Sequence, residues 1–209
     1  MPFNVDNFRS SLAFDGARPS LFEVSMACPR ELLLPGADAD ITFKARAASL
    51  PGDSVSSIIV NYFGREIKVA GTRTFPEWSM TVINDEDFLI RNTMERWMSG
   101  LNSHVNNLRR PEFIRGVGGR STAGAGLSSG YGTNILISQF SKAGPFAGAA
   151  GVPMSGRGSI KNYNLIGAFP TDVSAIDLNW GDGDSIEEFT ITFAYQWWES
   201  VTPIETTDF

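Results

Sequence analysis

Five residues near the C-terminus, Phe189, Ile191, Phe193, Tyr195 and Trp197, alternate with Thr190, Thr192, Ala194 and Gln196. No other pattern narrows the fold as much. Successive side chains of an extended strand project to opposite faces, so such a run buries one face and leaves the other polar. The same period recurs at residues 22–28, where Phe22, Val24, Met26 and Cys28 alternate with Glu23, Ser25 and Ala27. It recurs at Ile41, Phe43, Ala45 and Ala47, at Trp78, Met80 and Val82, and at Ile176, Leu178 and Trp180. Several half-buried strands in one chain predict a mainly β protein, an antiparallel sandwich or barrel. A length of 209 residues fits one large core. The expected organisation is a single domain over residues 1–199, with a Gly-rich insertion at 116–158 and a tail at 200–209.

One flanking helix is predicted to interrupt the strands. Asn84 can cap it, and Asp85, Glu86 and Asp87 fill a first turn whose dipole favours acids. Ile90, Met94, Trp97, Leu101 and Val105 follow at spacings of four, three, four and four, an apolar stripe aimed at the core. Pro111 is its outer limit.

Charge is laid down unevenly. Through Arg115 there are 13 basic and 14 acidic residues; 116–158 holds three basic residues and no acid; from Ser159 onward Lys161 stands against nine acids. Holding DNA by phosphate neutralisation needs clustered Lys and Arg, which a chain of net charge −6 is poorly placed to supply. Twelve of the 21 glycines fall in 116–158, a loop-favouring composition. The stretch TNILISQF inside it can still form a strand, leaving a Gly-rich arm on either side. The arms are either surface loops or segments that order against a neighbouring subunit. No run approaches the ~18 apolar residues of a membrane helix, and MPFNVDNFRSSLAF lacks the features of a signal peptide. The single cysteine, Cys28, excludes an internal disulfide and reads as a small buried hydrophobe in a chain folded in a reducing cytoplasm.

A search for chemistry finds little. His104 is the only histidine, which rules out a His-rich metal site, and no G-x-S-x-G is present for a serine nucleophile. GVGGRSTAGAG lacks the G-K-[ST] ending of a phosphate loop. GDGDSIEE at 181–188 is missing the third ligand and the glycine of a calcium loop, and its Asp-Gly pair reads better as a hairpin turn. No enzymatic activity, cofactor or metal is expected.

Residues 65–87 read REIKVAGTRTFPEWSMTVINDED. This block resembles the signature of the tail tube proteins of contractile-tailed bacteriophages. The family has a basic-aliphatic strand leading into A-G-x-R-T-F, a turn, a Trp on an alternating strand, and N-D-E at a helix start. The matching residues are Ala70, Gly71, Arg73, Thr74, Phe75, Trp78, Asn84, Asp85 and Glu86. ARPSLFEV at 17–24 is similar to the family's approach to its first strand, and Gly167, Pro170, Thr171, Val173, Trp180 and Trp198 match its C-terminal half. The resemblance covers roughly residues 17–110 and 133–199. It implies a sandwich-like barrel, six copies closing into a ring, and rings stacking into a hollow tube within the virion. It further implies that DNA passes through the lumen without specific binding and that the tube does not insert into a membrane. The implied partners are further copies of the chain, a tail sheath protein, and baseplate and tail-terminator proteins, with assembly in the host bacterial cytoplasm. A related possibility is the inner-tube ring protein of a type VI secretion-like or phage-derived injection machine.

Two sets of residues are expected to serve assembly. SIIVNYF and REIKVAG meet near Gly64 and predict a hairpin. The resemblance implies that it projects towards the next ring, with Arg65, Arg73, Phe75 and Trp78 stacking it or bracing it. Phe75 and Trp78 can equally fill their own core. Asp177, Asn179, Glu188, Thr190, Thr192 and Gln196 lie opposite the apolar residues of the final strands and are expected to meet solvent, a neighbour or the lumen. In a lumen they would repel phosphate, although Lys44 and Arg46 would offset the acids locally.

Overall fold

The computed structural model describes residues 5–11, 16–26, 28–29, 37–113, 130–142, 159–181 and 183–201. The Gly-rich arms on either side of TNILISQF and most of the C-terminal tail lie outside the described residues. The elements in chain order are α1 (Val5–Ser11), β1 (Phe22–Met26), α2 (Ala37–Lys44), β2 (Ala45–Ala48), β3 (Ser54–Tyr62) and β4 (Arg65–Thr74). They continue with β5 (Trp78–Ile83), α3 (Leu89–Leu101), β6 (Thr133–Phe140), β7 (Ser159–Val173), β8 (Glu188–Ala194) and β9 (Trp197–Val201).

All pairings are antiparallel. The main sheet runs β1-β6-β7-β8-β5-β2, with β9 also on β7, while β3 and β4 form a separate two-stranded ribbon. The long strand β7 serves two layers. Its residues up to Ala168 pair with β6 and β9, and those from Phe169 pair with β8. Gly167 sits at the corner with φ +64°, a left-handed conformation glycine adopts without a steric penalty. The chain crosses back between layers at Tyr195 and Gln196, where Gln196 N donates to Ile166 O at 3.0 Å. Because β1 and β2, the two ends of the path, do not pair with each other, the architecture is sandwich-like and not a closed barrel. The core joins Val24, Met26, Ile135, Ile137 and Leu165 to Trp78, Met80, Val82, Phe189, Ile191 and Phe193, with Met94 and Trp97 of α3.

Several local expectations are corrected. The alternation at Ile41 lies mostly in a helix, α2, so α3 is not the only helix at the core. Asp38 and Asp40 occupy its first turn and Lys44 its last, and Lys44 donates to Asp40 one turn away at 2.8 Å. Those helix signals outweigh a short period-two match. Ile176 to Trp180 is irregular: Gly181 N donates to the Asn179 side chain at 3.0 Å, a turn that ends any extended run. GDGDSIEE therefore belongs to a wide connection at 174–187, not to a tight hairpin. Asn84 does not cap α3; it extends the β5–β8 ladder, binding Glu187 through both backbone and side chain at 2.8 Å. Leu89 N instead finds the Asp87 carboxylate at 3.0 Å, and Val105 lies exposed beyond the helix end. Finally, the run from Phe189 breaks phase after Tyr195, so Trp197 faces outward while Trp198 packs on the core.

Cys28 is buried as expected, and its backbone N–H donates to Asp38 at 2.9 Å. Burial, then the Asp38 carboxylate, push its thiol far above the usual range. A thiol-alkylating reagent at pH 8 is expected to label Cys28 only after denaturant unfolds the chain. Rapid labelling in native buffer would contradict this placement.

Candidate functional site

The ribbon of β3 and β4 stands off the core. Its register pairs Tyr62 with Arg65, Val60 with Ile67 and Ile58 with Val69 on one face, and Asn61 with Glu66, Ile59 with Lys68 and Ser57 with Ala70 on the other. The first face is therefore almost wholly apolar, and every one of its residues is exposed. At the tip, Phe63 and Gly64 have φ of 46° and 74°, as the tight mirror-image hairpin turn requires. A bulky residue seldom takes that conformation, and Phe63 takes it while 91% exposed. Isolated two-stranded ribbons are marginal in water, and a contiguous exposed apolar surface marks an interaction site.

The base of the ribbon is braced. Between Val55 and Ser57 the register slips. There the Ser56 hydroxyl accepts from Thr72 N at 2.9 Å, and a Cβ on Gly71 would fall 2.4 Å from it. Arg73 forms an ion pair with Asp53, and its guanidinium lies 5.1 Å from the Phe75 ring and 5.7 Å from the Trp198 ring. Phe75 packs on Tyr195, whose hydroxyl donates to Gly52 O at 3.4 Å. Trp78 is only 2% exposed and donates Nε1 to Ser49 O at 2.6 Å. Of the four residues singled out for stacking or bracing, Arg65 alone sits at the tip; the other three tie the ribbon to the body. Arg73→Glu is expected to cost about 1–2 kcal/mol, the sum of an exposed cation–π contact and an exposed ion pair. It should lower the melting temperature through a loosened ribbon. Unchanged thermal stability would refute the brace.

The outer face of β8 is polar. Glu188, Thr190 and Thr192 lie opposite Ile83, Thr81 and Ser79 of β5, and Asp172 of β7 joins them. The Thr81 and Thr190 hydroxyls are 3.3 Å apart. The two cations expected to offset these acids are already engaged: Arg46 pairs with Glu188, and Lys44 with Asp40 and Asp85. The hydrogen bond from Lys44 holds the Asp85 carboxyl below its ordinary range. Asp177 and Asn179 do not join this face, since both lie in the 174–187 connection, and Gln196 sits at the bend before β9.

An open cleft of about 440 Å³ beside α3 is lined by Asn92, Glu95, Arg96, Ser99 and Arg110. Its one hydroxyl, that of Ser99, has no histidine, lysine or second carboxylate in the lining to activate it. His104 is exposed past the helix end. Among the described residues no group of three or more His, Cys, Asp or Glu could hold a metal ion, and no helix is long and apolar enough to cross a membrane.

A family model described as phage tail tube protein matches residues 17–201. The chain belongs to the phage tail tube protein family. It is 28% identical over 197 residues to the tail tube protein gp19 of Enterobacteria phage T4, covering 94% of this chain and 99% of that one. The gp19 of Enterobacteria phage T6 is 27% identical over the same length. Solved structures share the fold at lower identity. A chain of the PVC sheath–tube complex of an extracellular contractile injection system superposes with TM-score 0.54 at 13% identity, covering 96% of this chain and 99% of that one. A chain of the cap that terminates the anti-feeding prophage tube gives TM-score 0.56 at 16% identity, covering 92% and 94%. The family makes the chain a component of the virion, and its apolar ribbon is held clear of the body. The tail tube motif A-G-x-R-T-F also gains a physical reading here. Gly71 permits the slipped register, Arg73 clamps the base, and Phe75 returns the chain to the core. The apolar face of Ile58, Val60, Tyr62, Ile67 and Val69 went unremarked in the sequence, although alternation within SIIVNYF and EIKV carried it.

Proposed function

We propose that this chain is the repeating subunit of a phage tail tube: six copies close into a ring, and rings stack into a hollow conduit that delivers DNA to the host. A single tail-tube domain over residues 1–199 carries both contacts. A sheath surrounds the tube, baseplate and tail-terminator proteins bound its ends, and assembly takes place in the host cytoplasm. The protein works without catalysis or cofactor. The observation that carries this reading is the apolar face of the β3–β4 ribbon, which none of the described residues covers. The relatives similar in sequence are phage tail tube proteins, whereas injection machines share the fold alone, so the phage tube is preferred. Light scattering on a sizing column tests the ring. A species of six times the 22.8 kDa chain mass is expected at high concentration. A strictly monomeric chain, with no tubes when a baseplate is supplied, would overturn it.

The outer face of β8 supports a lumen role for Glu188, Thr190 and Thr192. Hydroxyls dominate it, its exposed arginine is paired, and Asp172 leaves it slightly negative. Phosphates sliding past such a wall are repelled weakly and held nowhere. Asp177, Asn179 and Gln196 would then act at the ends of the wall and not on it. Assembled tubes are expected to leave duplex DNA unshifted in a gel at low salt. Tight, salt-sensitive binding would mean that a basic surface lines the path.

A further inference from the structure

The β5–β8 ladder has two ends. At one, Trp78 pairs with Phe193, and the ribbon leaves the body just before Trp78. At the other, Ile83 pairs with Glu188, where the 174–187 connection enters β8. The ladder spans about 17 Å at ~3.4 Å per residue, so the ribbon and the connection lie at opposite poles of the subunit. The connection exposes a second apolar group: Leu178 at 82%, Trp180 at 108% and Ile186 at 70%. Asp177 and Asp184 beside them are exposed, and 174–187 contains no lysine or arginine. The ribbon answers with an apolar face and, at its tip, Arg65.

Resting on the tube reading above, we infer that the connection at 174–187 is the seat for the β3–β4 ribbon of a second copy in the adjacent ring. Leu178, Trp180 and Ile186 cover the face of Ile58, Val60, Ile67 and Val69, and Arg65 meets Asp177 or Asp184. A symmetric contact of ribbon on ribbon would close at two copies and leave Trp180 in water. A ribbon-to-seat contact joins unlike surfaces at opposite poles, which is the arrangement that propagates without closing. An exposed tryptophan, on a connection that also exposes Asp177 and Asp184, supplies the central aromatic anchor such an interface needs.

Complementation of two variants tests the pairing without knowledge of its register. Trp180→Asp spoils the seat and keeps the ribbon; Val60→Asp spoils the ribbon and keeps the seat. Both positions are exposed, and circular dichroism verifies folding. Each variant alone is expected to stop at single rings, or to need about tenfold or more protein for tube growth. Their mixture should give stacks of two rings and no longer. Long tubes from Trp180→Asp alone, or single rings in the mixture, would overturn the seat while leaving the tube reading intact. Monomers in place of rings from Trp180→Asp would also overturn it, by assigning Trp180 to the lateral contact. Failure of the unaltered chain to form tubes on supplied baseplates would instead remove the tube reading, and this inference with it.

Discussion

Replacing Val60 and Ile67 together by aspartate is expected to abolish tube growth while leaving the subunit folded. The two face each other across the ribbon and are about half exposed, so neither contributes much to the subunit's own core. Surface changes of this kind usually alter monomer stability by less than about 0.5 kcal/mol. In the assembled tube the same positions would be buried, and an unpaired carboxylate there costs several kcal/mol per copy. In the proposed ring of six copies that cost would be multiplied. The measurement pairs thermal unfolding with electron microscopy of baseplate-seeded reactions. An unchanged melting temperature with no tubes is the predicted combination. Tubes of normal length would show that the apolar face stays in water.

Trp97→Ala should do the reverse, by unfolding the subunit itself. Trp97 is fully buried between α3 and the sheet, and its Nε1 donates to Tyr131 O at 2.9 Å. Truncating a core tryptophan costs about 3–5 kcal/mol through lost contacts and the cavity left behind. The orphaned carbonyl adds to this. Against a domain stability of about 5–15 kcal/mol, that is a large share. At about 2–4 °C per kcal/mol for a chain of this size, the melting temperature should fall by roughly 6–20 °C. A fall of less than 2 °C would show that the core tolerates the void, contrary to its packing.

The two variants separate what was legible in the sequence from what was not. Trp97 and the strands of the core announced themselves because burial enforces a period, 3.6 for α3 and two for β5 and β8. The ribbon was also legible as a hairpin, since SIIVNYF and REIKVAG meet near Gly64, although the apolar face that its register creates was not. Ile176, Leu178 and Trp180 carried the same period and misled. Alternation records amphipathic spacing, not the presence of a partner strand, and here the Asn179 turn and the end of pairing at Ser174 decided the matter. Residues 41–44 failed for the opposite reason: acids at one end and a lysine at the other favoured a helix, and only Ala45–Ala48 became a strand. The two-sheet path through the bend at Gly167 depends on long-range pairing that no local pattern encodes. Trp78 was legible as important but not as buried, because a tryptophan on an alternating strand serves a core and an interface equally well.

The central claim is that ring and tube arise from this chain's own surfaces. Negative-stain electron microscopy of concentrated purified protein, with and without supplied baseplates, tests it most directly. The account predicts sixfold rings in end view and hollow tubes of uniform width growing from the baseplates. A field of single globular particles under both conditions would contradict it.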